Sequence, residues 1–173
     1  MMNSPERVDA GADARFVRFT EARSSLDIRC RLLDAAAPVN ADLLWELAGL
    51  DRRYPAIHAM WTGPEISVPI AGNDVLPSRN LGAVSTENAT SYPRAGDIVL
   101  VCAPQGTWKE GPPFDLIDIG LFYAEGARLL MPMGWIMGSV CARIVDEDVA
   151  NAAVACAAIR HNGACELHLS RCD

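Results

Sequence analysis

Glu87-Asn88-Ala89-Thr90-Ser91-Tyr92-Pro93-Arg94-Ala95-Gly96-Asp97 runs directly into Ile98-Val99-Leu100-Val101-Cys102. The first part is polar and carries Tyr-Pro and Ala-Gly-Asp; the second is apolar at every position. A strand with no polar face belongs in the middle of a sheet covered on both sides. The polar stretch ahead of it reads as a structured loop pinned against that strand. A small closed β architecture accommodates both, with the loop bordering a concave opening.

Upstream, Arg15 to Ala22 is a strand candidate, and Leu26, Ile28, Cys30 and Leu32 alternate with charged residues. That period of two, after the turn Arg23-Ser24-Ser25, predicts an antiparallel hairpin. Leu43, Leu44, Leu47 and Leu50 then recur at helical spacing. Asn40 is expected to cap this helix, and Arg52 and Arg53 to complement its C-terminal end. Ala56 to Trp61 is the next strand candidate. The turn Thr62-Gly63-Pro64-Glu65 precedes a strand with Ile66, Val68 and Ile70 on one face and Ser67 and Pro69 on the other. Pro69 places that strand at an edge or at the end of a ladder. Residues 72–85 read as loop.

Downstream, residues 103–115 hold Pro104, Gly106, Gly111, Pro112 and Pro113, an exposed excursion with Trp108 near its tip. Leu116 to Ala124 and Ser139 to Val145 are strand candidates, and Leu129 to Met133 reads as a further extended stretch. Asp146, Glu147 and Asp148 begin the clearest helix, with Asp146 as its cap; Arg160 and His161 end it, and Gly163 stops it. Its buried stripe is Val149, Ala152, Ala153, Cys156 and Ile159. Cys165, Leu167 and Leu169 mark a last strand. The sum is a mainly β chain: a closed antiparallel β-barrel of about eight strands with two helices.

A length of 173 residues, 50% of them hydrophobic, suits a single domain with a full core. The net charge of −7 excludes duplex nucleic acid as a natural partner and disfavours anionic lipid. No apolar run is long enough for a transmembrane helix: Val149 to Ile159 is interrupted by Asn151 and bounded by Asp148 and Arg160. Residues 1–14 lack the apolar centre of a signal peptide and read as a loose tail; residues 15–173 form the barrel domain, and a cytoplasmic location is expected. Six cysteines without a Cys-x-x-Cys pair fit buried free thiols in a reducing compartment. Cys165, His168 and Cys172 do not converge along a strand, so no metal is expected, and no cofactor motif is present.

The segment Glu87 to Pro93 followed by Gly96-Asp97 resembles the signature of a bacterial family of small cyclophilin-like proteins of unknown function. Leu33-Asp34 with Ala37-Pro38, Trp61-Thr62-Gly63-Pro64-Glu65 and Phe122-Tyr123-Ala124-Glu125-Gly126 are similar to its other landmarks. The resemblance spans Phe16 to Leu169 and implies a cyclophilin-like barrel. The Phe-His-Arg and Gln-Gly-Gly segments of the peptidyl-prolyl isomerases are absent, so it implies the fold without that activity. The 103–115 loop is longer than the family pattern.

Glu87, Asn88, Thr90 and Tyr92 offer an acceptor, an amide, a hydroxyl and a phenol within six positions, a set able to orient a small polar molecule at the barrel mouth. The competing reading is a loop whose polar groups bond its own backbone. Arg128, after Gly126, offers a guanidinium for a carboxylate, or a plain surface cation. Tyr123 presents a phenol to the same mouth or packs at its rim. His58 is a base near neutral pH or a hydrogen-bonded strand histidine. Three functions stay open. The first is a binding or metabolic accessory protein for a small polar metabolite. The second is a hydrolase or isomerase using Glu87 with His58 or Arg128. The third is a homo-oligomer subunit joined through Trp108, Phe114 and Met131 to Met137.

Overall fold

The computed structural model describes residues 14–172. The expected tail therefore lies, apart from its last position, outside the described residues. Eleven strands form: β1 (Phe16–Glu21), β2 (Leu26–Leu32), β3 (Arg52–His58), β4 (Glu65–Ala71), β5 (Ala89–Thr90), β6 (Asp97–Ala103), β7 (Leu116–Phe122), β8 (Leu130–Met131), β9 (Gly134–Trp135), β10 (Gly138–Ile144) and β11 (Cys165–Arg171). The main sheet runs β2-β1-β11-β3-β4-β7-β6-β10-β5, and β2 also pairs with β10. That last pairing closes eight antiparallel strands into a barrel; its register sets Leu32 opposite Ala142 and Cys30 opposite Ile144. Closure removes the exposed edges that an open sheet would carry.

Alternation along the strands fills the interior. Ile66, Val68 and Ile70 of β4, Ile117, Ile119 and Leu121 of β7, and Ile98 and Leu100 of β6 point inward and are buried. Two long helices bury their apolar faces in the same core: α1 (Pro38–Gly49) through Leu43, Leu44 and Leu47, and α3 (Val149–Asn162) through Ala152, Ala155, Cys156 and Ile159. The short helix α2 (Gly72–Val75) and a 3₁₀ turn at Leu81–Ala83 occupy the stretch expected to be loop. Among the described residues, no helix is long and apolar enough to cross a membrane.

The outer face of the wall is apolar as well. Val99, Phe122 and Val140 point away from the interior, where Ala127, Leu129 and Ile136 of the 123–137 segment cover them as a second cluster. This explains why Ile98 to Cys102 has no wet face. β6 has hydrophobic material on both sides, as expected of a central strand.

Several local expectations give way to tertiary context. Asn40 does not cap α1; Pro38 opens that helix, and its N-cap residue, Ala37, makes no side-chain bond. Arg52 and Arg53 lie on β3 rather than at the helix end, and β3 stops at His58. Asp146 begins a 3₁₀ turn instead of capping α3, and Asp148 turns its carboxylate to the backbone and guanidinium of Arg29. Gly163 ends α3 at φ +84°, a conformation that favours glycine, and donates its N–H to Ile159. Pro69 pairs with Asp118 of β7, beyond the stretch where β4 meets β3, so its missing N–H costs no ladder bond there.

A cleft on the outer wall

Residues 87–97 form a clasp. The Glu87 carboxylate accepts from the backbone N–H groups of Val39 (3.3 Å) and Asn40 (3.0 Å) and from Asn40 Nδ2 (2.7 Å). It thus caps α1 from another part of the chain, which is why no local cap is needed. Burial pushes this carboxyl up, but the three bonds outweigh it and hold it below the ordinary range. Asn88, at φ +44°, donates to the Val140 carbonyl, and Thr90 accepts from the Tyr92 N–H. Asp97 accepts from the Arg94 N–H and from Arg143. Tyr92 is exposed and rests against Trp135, with ring centres 5.2 Å apart. Replacing Glu87 with alanine uncaps α1 and is expected to cost about 1–2 kcal/mol, read from urea unfolding; unchanged stability would contradict the capping role.

His58 and Tyr123 do come together. His58 Nδ1 lies 2.9 Å from the Ala59 carbonyl and Nε2 lies 2.8 Å from the Tyr123 hydroxyl. A carbonyl only accepts, so Nδ1 carries the proton and Nε2 accepts from Tyr123. Burial lowers the His58 pKa and raises that of Tyr123, keeping both neutral. Arg128 is exposed, and its backbone N–H donates to Thr62. No hydrogen bond joins Glu87 to His58 or Arg128 among the described residues.

A partly enclosed hollow lies elsewhere, on the outer wall. It holds about 200 Å³ and has β4, β7 and β6 as its floor, through Glu65, Ser67, Asp118 and Val101. Its walls come from Ile57 to Thr62, from Trp108 of the long loop, and from Leu129, Met131 and Ile136 of the covering segment. Of the seven residues singled out from sequence, only His58 lines it. A larger depression of about 800 Å³ over the β1–β2 turn is wide open, and its buried acid, Glu21, already accepts from the backbone of Arg23 and Ser24. Enclosure and unspent polar groups favour the smaller cleft.

Its polar groups are set by the ladder. Ser67 faces Gly120 and Pro69 faces Asp118 across β4 and β7, so Glu65, Ser67 and Asp118 project from the same outer face. Gly63, at φ +94°, turns the chain tightly enough for the Thr62 hydroxyl to donate to Glu65 Oε2. Oε1 lies over Gly120, where a Cβ would come within 2.4 Å of it. Glu65 is only 5% exposed. Burial, with the neighbouring Asp118 charge, pushes its pKa up to about 8 against the pull of the Thr62 bond. Burial also raises Asp118, although Ser67 donates to it at 2.8 Å and the Val68 N–H also bonds it.

Neither carboxylate stands out in the sequence. Glu65 stood in a turn, and Ser67 marked a wet face. The available signal was Asp118, a single acid inside the apolar run Leu116 to Phe122.

In class, the molecule is a closed eight-stranded antiparallel barrel with two sizeable helices and a side cleft. The chain belongs to a family of proteins of unknown function, DUF3830, whose profile matches residues 20–171. No curated protein matches it. Among solved structures, McbB in complex with tryptophan is similar at a TM-score of 0.62 and 13% identity, covering 89% of this chain and 44% of McbB. The chain thus spans less than half the length of that protein. A cyclophilin-type peptidyl-prolyl cis-trans isomerase of Cryptosporidium parvum matches at a TM-score of 0.46 and 11% identity, covering 93% of this chain and 99% of that one. The Mimivirus cyclophilin matches at 0.46 and 9%, covering 94% and 89%.

Proposed function

We propose that this protein binds a small metabolite in the outer-wall cleft, with Glu65, Ser67 and Asp118 holding its polar end and Trp61 and Trp108 flanking its apolar body. One observation carries the reading: an enclosed, largely apolar hollow of about 200 Å³ has two carboxylates on its floor. Such a site excludes water from the polar end and strengthens each contact there. No arginine lines the cleft, which supports a role other than prolyl isomerisation. A fluorescence titration tests it. Small aromatic and aliphatic fragments are expected to shift the emission of the wild type and to lose that effect when Ser67→Phe fills the floor. Equal shifts in both proteins would overturn the reading.

A second reading, an enzyme of the hydrolase or isomerase type, is favoured by Glu65, which keeps its proton at neutral pH and can donate it. Turnover retained in full by Glu65→Gln would end it. Self-association is supported by a separate exposed patch of Tyr92, Met133, Trp135 and Met137. Sedimentation as a monomer at micromolar concentration would remove that proposal.

A further inference from the structure

We propose that the cleft selects a primary ammonium ion on a small aromatic or aliphatic body, with Glu65 and Asp118 as its counter-charges. This rests on the reading of the cleft as a ligand site. Two acids from adjacent strands face the hollow, and no lysine or arginine lines it. Glu65 lines the hollow; its Oε2 is taken by Thr62, whereas Oε1, lying over Gly120, accepts no hydrogen bond from the described residues. Once ionised, an acid this deeply buried with one free oxygen lacks a donor. An ammonium has three N–H groups and no acceptor, the inverse of this floor. Glu65 Oε1, Asp118 and the Ser67 hydroxyl oxygen are the acceptors offered.

The walls suit the rest of such a ligand. Trp61 and Trp108 both line the hollow, and an indole ring favours a cation or another ring against its face. A bare metal ion fits less well, because no third His, Cys, Asp or Glu converges with this pair among the described residues. A carboxylate ligand would meet two acids and no cation.

Charge is conserved by a proton transfer. Free, Glu65 holds its proton at pH 7; as the ammonium enters, the carboxyl proton leaves to buffer and the carboxylate pairs with the cation. The titratable groups around it are Asp118 on β7 and His58 on β3, with Lys109 and Glu110 exposed on the loop that carries Trp108.

Calorimetry on the full chain at pH 7 tests the proposal with phenethylamine, phenethyl alcohol and phenylacetate, in two buffers of different ionisation heat. The amine is expected to bind at least about ten-fold more tightly than the alcohol, with phenylacetate weakest and a proton released to buffer. Glu65→Gln should abolish the proton release, and Asp118→Asn should remove the preference for amine. Equal affinity for amine and alcohol, tighter phenylacetate, or proton release that survives Glu65→Gln would overturn the amine assignment and leave the cleft reading standing. Binding of all three that survives Ser67→Phe would overturn both. So would no binding at all.

Discussion

Glu65→Gln is expected to make the protein more stable than the wild type in alkali and nearly indifferent in acid. Unfolded, this carboxyl titrates near 4.5; folded, it titrates near 8, because burial and the Asp118 charge disfavour its ionised form. Between those values the folded chain holds a proton that the unfolded chain releases. The stability Glu65 contributes is therefore fully present below 4.5 and is lost as pH rises through 8. The full loss is on the order of 5 kcal/mol. Glutamine keeps the shape, accepts from Thr62 and cannot ionise, so it escapes the loss. Thermal melts at pH 4 and pH 9 should show the two proteins close together at the lower value and separated by about 10 °C at the higher. Parallel curves across that range would mean that Glu65 is hydrated and the cleft floor is open.

Gly120→Ala is the second large effect. A Cβ at this position would lie 2.4 Å from Glu65 Oε1 and 2.7 Å from the Phe122 ring. Phe122 is fully buried under the covering segment and cannot yield, so the carboxylate must move. Overpacking of this kind costs about 1–3 kcal/mol. Forced off its floor position, Glu65 also occupies the space meant for the ligand, so fragment binding should fall with stability. Urea unfolding and the fluorescence titration read the two losses separately. An alanine variant with wild-type stability and wild-type binding would show that the close approach of Glu65 to this backbone has no role.

Local pattern made most of the barrel legible. The alternation in Leu26 to Leu32 and Cys165 to Leu169 placed β2 and β11, and the unbroken apolar run at 98–102 identified a strand covered on both faces. Gly163 marked the end of α3 because a left-handed stop is a local requirement. What failed depended on contacts distant in sequence. Asn40 looked like a cap because nothing nearby reveals that Glu87 arrives from 47 positions away to take that role. Asp146 lost its role in the same way, since β2 supplies Arg29 as the partner of Asp148.

The site was harder still. Its acids are polar residues at outward positions of two strands, and outward ordinarily means wet. They are dry because the 123–137 segment and the loop bearing Trp108 fold over this part of the wall. Residues 87–97 drew notice by being polar and irregular. Glu87, Asn88 and Asp97 spend that polarity on α1, β10 and Arg143. A polar loop beside a buried strand carries the same composition whether it greets a ligand or fastens the chain.

A crystallographic fragment screen tests the central claim most directly. Bound fragments are predicted to cluster between the Glu65–Asp118 floor and Trp108, with amines nearest the carboxylates. Fragments gathered instead at Glu87 to Tyr92, with the outer-wall cleft empty throughout, would contradict it.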